Sequence, residues 1–160
     1  MNECEICPIL QNPTETEAQR RLIEGEHWVA TLREDQEYLG TAFVTARRHV
    51  ESLPDLSLDE ELEFIEVRNR LIIAQQRAFG AQVVNTACLM NNAFDSEGVG
   101  TPHVHYHFKP RYAQIVQFAG ETFVDTQFGR YITEKTPKMV EELVSRQIVD
   151  RLRQEISSTV

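Results

Sequence analysis

The chain has 160 residues, a formal net charge of −9 and three cysteines, and 41% of its residues are hydrophobic. This length suits one domain that folds without disulfides, and the acidic balance argues against non-specific nucleic-acid binding as the main task. No apolar run is long enough to span a bilayer or to act as a leader, and the few cysteines are typical of a reducing compartment, so we expect a cytoplasmic protein that binds neither nucleic acid nor membranes.

The first motif along the chain is the C-x-x-C formed by Cys4 and Cys7. This spacing occurs in redox dithiols, in zinc sites and by chance. A redox motif should open a helix after a strand, and nothing precedes this one. A zinc site needs two further ligands, preferably Cys or His. A short helix is predicted from Thr14 to Leu22, because Thr14 and Glu17 have the spacing of a capping box.

Strands and one long helix are predicted next. The segments HWVATL (27–32) and TAFVTA (41–46) are typical of strands, and a polar loop ending in Gly40 separates them. Ser57 and Glu60 have capping-box spacing, and the helix that they begin should run to Phe79 and end at Gly80. Its apolar face is predicted from the series Leu58, Leu62, Ile65 and Leu71. AQVVNTACLM (81–90) is a further strand, and the pattern as a whole predicts an α+β fold.

Three of the five histidines stand in the hexapeptide HVHYHF as His103, His105 and His107. On a strand, alternate side chains share one face, so the three imidazoles should lie together while the intervening apolar residues pack on the other face. A solvated strand face is the simplest alternative. One metal bound by all three histidines is strained, because the outer Cα atoms are about 13 Å apart on a strand. A division of labour remains, in which one imidazole attacks phosphorus and its neighbour donates a proton.

The segment PHVHYHFKPR resembles the His-x-His-x-His motif of the histidine triad (HIT) family of nucleotide hydrolases and transferases. The upstream run LGTAFVTARRHVESLPDLSLDE and the segment MNNAF are also similar to that family. The resemblance covers residues 28–112, and it points to a prokaryotic branch of the family often described as diadenosine-tetraphosphate-hydrolase-like. It implies a five-stranded antiparallel sheet packed with a long helix and, usually, a homodimer.

The resemblance also implies roles for individual residues. His105 matches the nucleophile that takes the nucleoside monophosphate, His107 the residue that orients the phosphate or protonates the leaving group, and Asn92 a phosphate-contacting asparagine. In zinc-bearing members, the four ligands match Cys4, Cys7, His49 and His103, which implies a structural zinc ion beside the active strand. We therefore expect zinc as a cofactor and a nucleotide as the substrate.

Three further substrate contacts are predicted at positions where the chain departs from the family pattern or extends beyond the triad. The loop before the triad reads DSEGVGTPH, and Thr101 is the residue that offers a hydroxyl directly before the triad segment. Asp35 is the candidate for the acid that binds ribose, in a loop one residue longer than expected. Arg111 follows the triad strand and offers a fork of donors for phosphate, although a solvated arginine after a proline is an equal alternative.

We expect one domain made of an N-terminal arm and short helix (1–26), a core (27–112) and a C-terminal extension (113–160). Residues 113–136 are predicted to be irregular or edge-strand structure anchored by Phe118, Phe123 and Phe128. One face of a terminal helix is predicted from Met139, Val140, Leu143, Val144, Ile148, Leu152 and Ile156, packed on its own domain or, alternatively, on a second copy.

Two classes of function follow. The first is a hydrolase that cleaves dinucleoside polyphosphates, such as diadenosine tetraphosphate, or nucleoside phosphoramidates through a covalent nucleotidyl-histidine; a nucleotidyl transferase or phosphorylase is a variant of it. The second is a zinc-stabilised nucleotide-binding or interaction protein with little turnover. The intact triad favours the enzyme, and the altered loop favours the binding protein.

Overall fold

The structure is a computed structural model that describes residues 4–158, so residues 1–3 and 159–160 of the two predicted terminal segments lie outside it. Helices α1 to α4 cover Ile6–Gln11, Glu15–Gln19, Leu58–Phe79 and Glu142–Ser157. Strands β1 to β7 cover Arg21–Glu24, Trp28–Leu32, Ala42–Ala46, Val83–Cys88, His105–Arg111, Val116–Phe118 and Glu121–Phe123. Within the described part of the chain, none of the helices combines the length and apolarity needed to cross a bilayer.

Five strands form the central sheet in the order β1-β2-β3-β5-β4, and every neighbouring pair is antiparallel. The α+β prediction of a five-stranded antiparallel sheet with a long helix and a C-terminal helix is therefore confirmed. Strand β5 is flanked on both sides, with His107 opposite Phe43 of β3 and Ala87 of β4. The triad strand consequently lies inside the sheet, where its side chains are fixed by neighbours on both sides.

The two faces of β5 have different environments, as the alternation in the sequence predicts. Val104, just before the strand, and Phe108 are fully buried, and the ring of Tyr106 stacks on Phe64 of α3 with 4.2 Å between ring centroids. On the opposite face the rings of His105 and His107 both lie edge-on to Phe43. Helix α3 thus covers the apolar face, and the histidines occupy the face that it leaves open.

Both predicted capping boxes are present, but the helix predicted from Thr14 to Leu22, which is α2, is shorter than predicted. Thr14 caps α2 and Ser57 caps α3, each reciprocated by the glutamate three residues on, and Gly80 ends α3 in the left-handed conformation. Helix α2 stops at Gln19 because residues 21–24 pair with β2 as an edge strand. A bulge between Arg21 and Ile23 lets two consecutive residues, Leu22 and Ile23, be buried. Tertiary pairing here overrides the local preference for helix.

Helix α3 buries a different face from the one predicted. Leu58, Leu62 and Ile65 are 73%, 57% and 45% exposed, so only Leu71 of the predicted series lies in the core. The buried positions are Glu60, Phe64, Val67, Leu71, Ala74, Gln75 and Phe79. The rotation follows from two contacts that apolar periodicity does not reveal. Phe64 stacks on Tyr106, and the Glu60 carboxylate accepts two hydrogen bonds from Arg48.

The C-terminal extension packs against the rest of the same chain. Strands β6 and β7 form a separate hairpin whose two turn residues, Ala119 and Gly120, have positive φ as tight hairpin turns require. Phe123 is buried and Phe118 packs on Phe79, whereas Phe128 is 37% exposed and does not belong to the hydrophobic core, so it is not the anchor that was predicted. Helix α4 packs against α3 and β1. Its buried face includes the predicted Val144, Ile148, Leu152 and Ile156, but Met139 and Leu143 are exposed and Met139 precedes the helix.

Candidate active site and metal centre

His103 lies two residues before β5, and its buried ring is held by a main-chain acceptor. Its Nε2 atom is 2.7 Å from the carbonyl oxygen of Ala46, the last residue of β3. A carbonyl can only accept, so Nε2 carries the proton and donates it, and Nδ1 is left with a lone pair. This hydrogen bond selects the tautomer that a metal ligand needs and fixes the plane of the ring.

The Nδ1 atom of His103 faces the other three predicted ligands. It lies 3.4 Å from Cys4 Sγ, 3.5 Å from Cys7 Sγ and 3.3 Å from His49 Nδ1, and Cys7 Sγ is 3.4 Å from His49 Nδ1. All four ligand atoms lie within 4.8 Å of one another. A tetrahedron with zinc bonds of about 2.0 Å to nitrogen and 2.3 Å to sulfur has edges of about 3.3 Å between nitrogens and 3.5 Å between nitrogen and sulfur. The described residues therefore fit a tetrahedral Cys₂His₂ site.

The surroundings of the cluster support the same assignment. His49 directs Nε2 toward the Glu51 carboxylate at 3.3 Å, so its Nδ1, like that of His103, faces the cluster. Burial and the neighbouring Cys4 raise the pKa of the Cys7 thiol to about 11. The bare Cys7 thiol would thus stay protonated at neutral pH, whereas a bound divalent cation would deprotonate it. The N-terminal arm that carries both cysteines is tied to β1 by a hydrogen bond from Arg21 to the Leu10 carbonyl.

His105 begins β5 and is oriented by the main chain. Its Nδ1 atom lies 2.8 Å from the carbonyl oxygen of His103, so Nδ1 donates and Nε2 of the neutral ring carries the lone pair. The ring lines a cavity of about 280 Å³ together with Cys4, Glu5, Ile6, Asn92, Ala93, Thr101 and His103. A histidine with this tautomer and an accessible Nε2 can act as a nucleophile.

His107 lies beside His105, with 5.1 Å between ring centroids, and lines a larger cavity of about 560 Å³. Its buried Nδ1 atom has no hydrogen-bond partner among residues 4–158. Burial, and then the charges of His105, Lys109, Arg33 and Lys135, lower the pKa of His107 to about 4. The ring is therefore neutral at pH 7, and an anion bound among these cations would raise its pKa.

Three cations of this larger cavity were missed by sequence reasoning. Arg33, Lys109 and Lys135 line it with His107, and the guanidinium of Arg33 lies 5.6 Å from the centre of the Phe43 ring. The sequence carried a signal for Lys109, because it follows His107 by two residues and must share its face. Arg33 and Lys135 come from loops after β2 and β7, where no periodicity predicts the direction of a side chain.

The remaining predicted substrate contacts divide into two groups. Asn92 lines both cavities and Thr101 the smaller one, so both lie near the histidines. Asp35 and Arg111 have other partners. The Asp35 carboxylate accepts hydrogen bonds from the main-chain N–H groups of Glu37 and Lys138. Neither Asp35 nor Arg111 lines either of the two cavities.

Arg111 is a structural residue in this fold. Its guanidinium donates two hydrogen bonds to Asp125, at 2.6 and 3.0 Å, and the two side chains are only 3% and 1% exposed. It also donates to the Gln127 carbonyl oxygen and lies over the Tyr38 ring. By the alternation of β5, Arg111 lies on the same face as His105, His107 and Lys109, but there the segment that follows β7 covers it and supplies its partners. The predicted phosphate contact is thus replaced by a buried ion pair that holds the C-terminal extension on the sheet.

Comparisons with known proteins identify the fold. No protein-family model matches the chain, and no curated protein matches it in sequence. Among solved structures, a hypothetical histidine triad nucleotide-binding protein from Sulfolobus tokodaii is similar with a TM-score of 0.69, 19% identity, and coverage of 97% of this chain and 93% of that one. A Zn-bound histidine triad family protein from Mycobacterium smegmatis has a TM-score of 0.60, 20% identity, and coverage of 98% and 97%.

A diadenosine triphosphate hydrolase from Plasmodium falciparum is also similar, with a TM-score of 0.59, 13% identity, and coverage of 88% of this chain and 78% of that one. At these identities the likeness concerns the fold, which is that of histidine triad proteins.

Proposed function

We propose that this protein is a histidine triad enzyme that forms a nucleotidyl-histidine on His105 and passes the nucleotidyl group to water. The observation that carries the proposal is the hydrogen bond from His105 Nδ1 to the His103 carbonyl oxygen, which leaves the Nε2 lone pair free for attack. The substrates are dinucleoside polyphosphates, such as diadenosine tetraphosphate, or nucleoside phosphoramidates. The reaction is then hydrolysis of a phosphoric anhydride or phosphoramidate bond.

The reaction has two displacements at one phosphorus. In the first, His105 Nε2 bonds to the phosphorus of the nucleoside monophosphate, the bond to the leaving group breaks, and the leaving oxygen or nitrogen takes the electron pair and a proton. In the second, water attacks the same phosphorus and gives a proton to the group that protonated the leaving group, the bond from phosphorus to His105 breaks with its electron pair returning to Nε2, and nucleoside monophosphate is released. Splitting one difficult displacement into two easier ones is the gain from covalent catalysis.

His107 is the proton donor or phosphate ligand in this proposal. Its ring lies against His105 and lines the larger cavity, where the leaving group would sit. An anionic substrate would offset the neighbouring cations and raise the pKa of the ring toward neutrality. Asn92 and Thr101, which line the cavity beside His105, are the proposed phosphate contacts.

The proposed cofactor is one structural zinc ion held by Cys4, Cys7, His49 and His103. It would fix the N-terminal arm and, through His103, the carbonyl that orients His105. A homodimer remains a prediction from the resemblance and a cytoplasmic location a prediction from the composition, and sedimentation of the purified protein would test the first.

The test is to incubate the protein with α-³²P-labelled diadenosine tetraphosphate and with adenosine phosphoramidate, quench in alkali and resolve the products. We expect adenosine monophosphate as a product and acid-labile label on the protein. A nucleotidyl transferase or phosphorylase would form the label but would release product only when an acceptor other than water is added. Tight nucleotide binding with neither label nor product would instead support the binding protein.

A further inference from the structure

The larger cavity concentrates positive charge on a chain that is acidic overall. Arg33, Lys109 and Lys135 all line it, and no aspartate or glutamate among residues 4–158 does so. Lys109 is half-buried, and burial followed by the charges of Arg33 and Lys135 lowers the pKa of its amino group. The three cations therefore lie close enough to repel one another. The charges of Glu37 and Asp35 offset part of this repulsion, and an anion bound in the cavity would offset more of it.

The carboxylates nearest to the cluster are committed elsewhere. Asp35 lies 3.7 Å from Arg33, but its other oxygen accepts the N–H groups of Glu37 and Lys138. Glu37 accepts a hydrogen bond from the Thr136 main chain. The contacts to Lys138 and Thr136 hold the segment after β7 against the loop after β2, so these acids fix the walls of the cavity. Arg33 is paired with Asp35, and among residues 4–158 no acid that lines the cavity is available to Lys109 or Lys135.

The position of the cluster follows from the strand. Lys109 lies about 6.6 Å beyond His107 along β5, on the same face and on the side away from His105. A group attacked by His105 Nε2 would adjoin His107, and the next part of the substrate would extend toward Lys109. The cluster thus lies where the leaving group of the proposed reaction ends, outside the smaller cavity at His105.

We propose that Arg33, Lys109 and Lys135 form a second anion subsite, which binds phosphate of the leaving group and makes the enzyme selective for nucleotides whose leaving group is itself phosphorylated. The inference rests on the proposed function. Of its two substrate classes, it favours dinucleoside polyphosphates over nucleoside phosphoramidates. Dinucleoside polyphosphates fit the subsite, whereas the amine released from a phosphoramidate carries no anion to occupy it. Occupation of the subsite also offsets the charges around His107, which favours the protonated form of its ring that can donate to the leaving group.

The first arm of the test compares kcat/KM for diadenosine tetraphosphate and adenosine phosphoramidate in the wild type, Lys109→Met, Lys109→Arg and Lys135→Met. Methionine keeps the length of the lysine side chain and removes its charge. A hydrogen bond to a charged group contributes about 1.5–3 kcal/mol, so Lys109→Met should lower kcat/KM for the tetraphosphate about 10- to 100-fold. The kcat/KM for the phosphoramidate should change less than about threefold. Lys109→Arg, which keeps the positive charge, should retain most of the wild-type kcat/KM for the tetraphosphate. Lys138→Met is the matched control, because Lys138 pairs with Glu121 outside this cavity.

The second arm measures binding of inorganic tripolyphosphate by calorimetry, which requires no turnover. Lys109→Met should weaken this binding, while Lys138→Met should not. Equal losses on both nucleotides, or no loss on either, would overturn the subsite and leave the hydrolase standing. A wild type that binds tripolyphosphate through Lys109 but forms no labelled protein would instead overturn the proposed reaction, and with it the selectivity, while the anion site itself would remain.

Discussion

The carbonyl oxygen of His103 accepts a hydrogen bond from His105 Nδ1 at 2.8 Å, while the ring of His103 faces Cys4, Cys7 and His49. One residue therefore serves two sites, its ring a metal cluster and its main chain the proposed nucleophile. In this arrangement the ring of His103 takes no part in the proposed reaction, but its carbonyl oxygen still orients the ring of His105. It also means that a displacement of His103 would change the tautomer available to His105.

Replacing His105 by Asn should reduce turnover about 10³-fold or more and leave the fold and nucleotide binding nearly intact. Attack on phosphorus needs the imidazole lone pair, whereas binding is spread over the cavity. Steady-state rates, a melting curve and nucleotide titration together measure the three quantities. His27→Asn, the same change away from the site, is the control. Near-native rates in His105→Asn would favour direct attack by water.

Metal analysis of the purified protein should find close to one zinc per chain. A Cys4→Ser/Cys7→Ser double variant should lose that zinc and melt at a lower temperature, because binding free energy at a structural site adds to folding free energy. Mild chelation should lower the melting temperature clearly but leave the rate of hydrolysis nearly unchanged. Cys88→Ser, which removes the third cysteine, should keep its metal. Full occupancy in the double variant would rule out this ligand set.

Breaking the pair between Arg111 and Asp125 should destabilise the protein strongly. Removing one partner leaves a buried charge uncompensated, and such changes cost about 3–5 kcal/mol. Asp125→Asn is the cleaner variant, since it keeps the shape of the side chain, and urea denaturation gives the free energy of unfolding. Glu34→Gln, which removes an exposed partner of Arg20, should cost less than about 1 kcal/mol. A similarly small cost for Asp125→Asn would show that the ion pair does not hold the C-terminal extension on the sheet.

Stability should fall as the pH is lowered from about 6.5 to 4, in part through His107. The unfolded imidazole binds a proton below its ordinary pKa of 6.5, while the folded ring, buried among cations, does so only near 4. Protons therefore favour the unfolded state across this interval, by about 3 kcal/mol at most, since the ring is only partly buried. His107→Asn should lose less stability than the wild type over the same interval, as measured by urea denaturation at each pH. Parallel curves for the two proteins would contradict the low pKa.

Strands β2 to β5, both capping boxes, the end of α3 at Gly80 and the segregation of histidines from apolar residues on β5 could be predicted, because they depend on local spacing, whereas edge strand β1 stands where a helix was predicted. The buried face of α3 could not, since Glu60 is buried only because Arg48 reaches it from another segment. For the same reason the sequence does not reveal that Arg111 is paired with Asp125 or that Arg33 and Lys135 meet Lys109. The direction of a loop side chain depends on tertiary contacts, and two of the three cations of the larger cavity, Arg33 and Lys135, lie in loops.

The alternation on β5 also limits how the chain can change in length. Phe108 is fully buried on one face while His105 and His107 lie on the other, and a sheet pairs β5 on both sides. Inserting or deleting one residue between His105 and Phe108 would invert the faces of everything beyond it, sending an imidazole into the core and an aromatic ring into the cavity. Substitutions within the strand can be absorbed one at a time, but a single-residue change in its length would remove the core and the reactive face together.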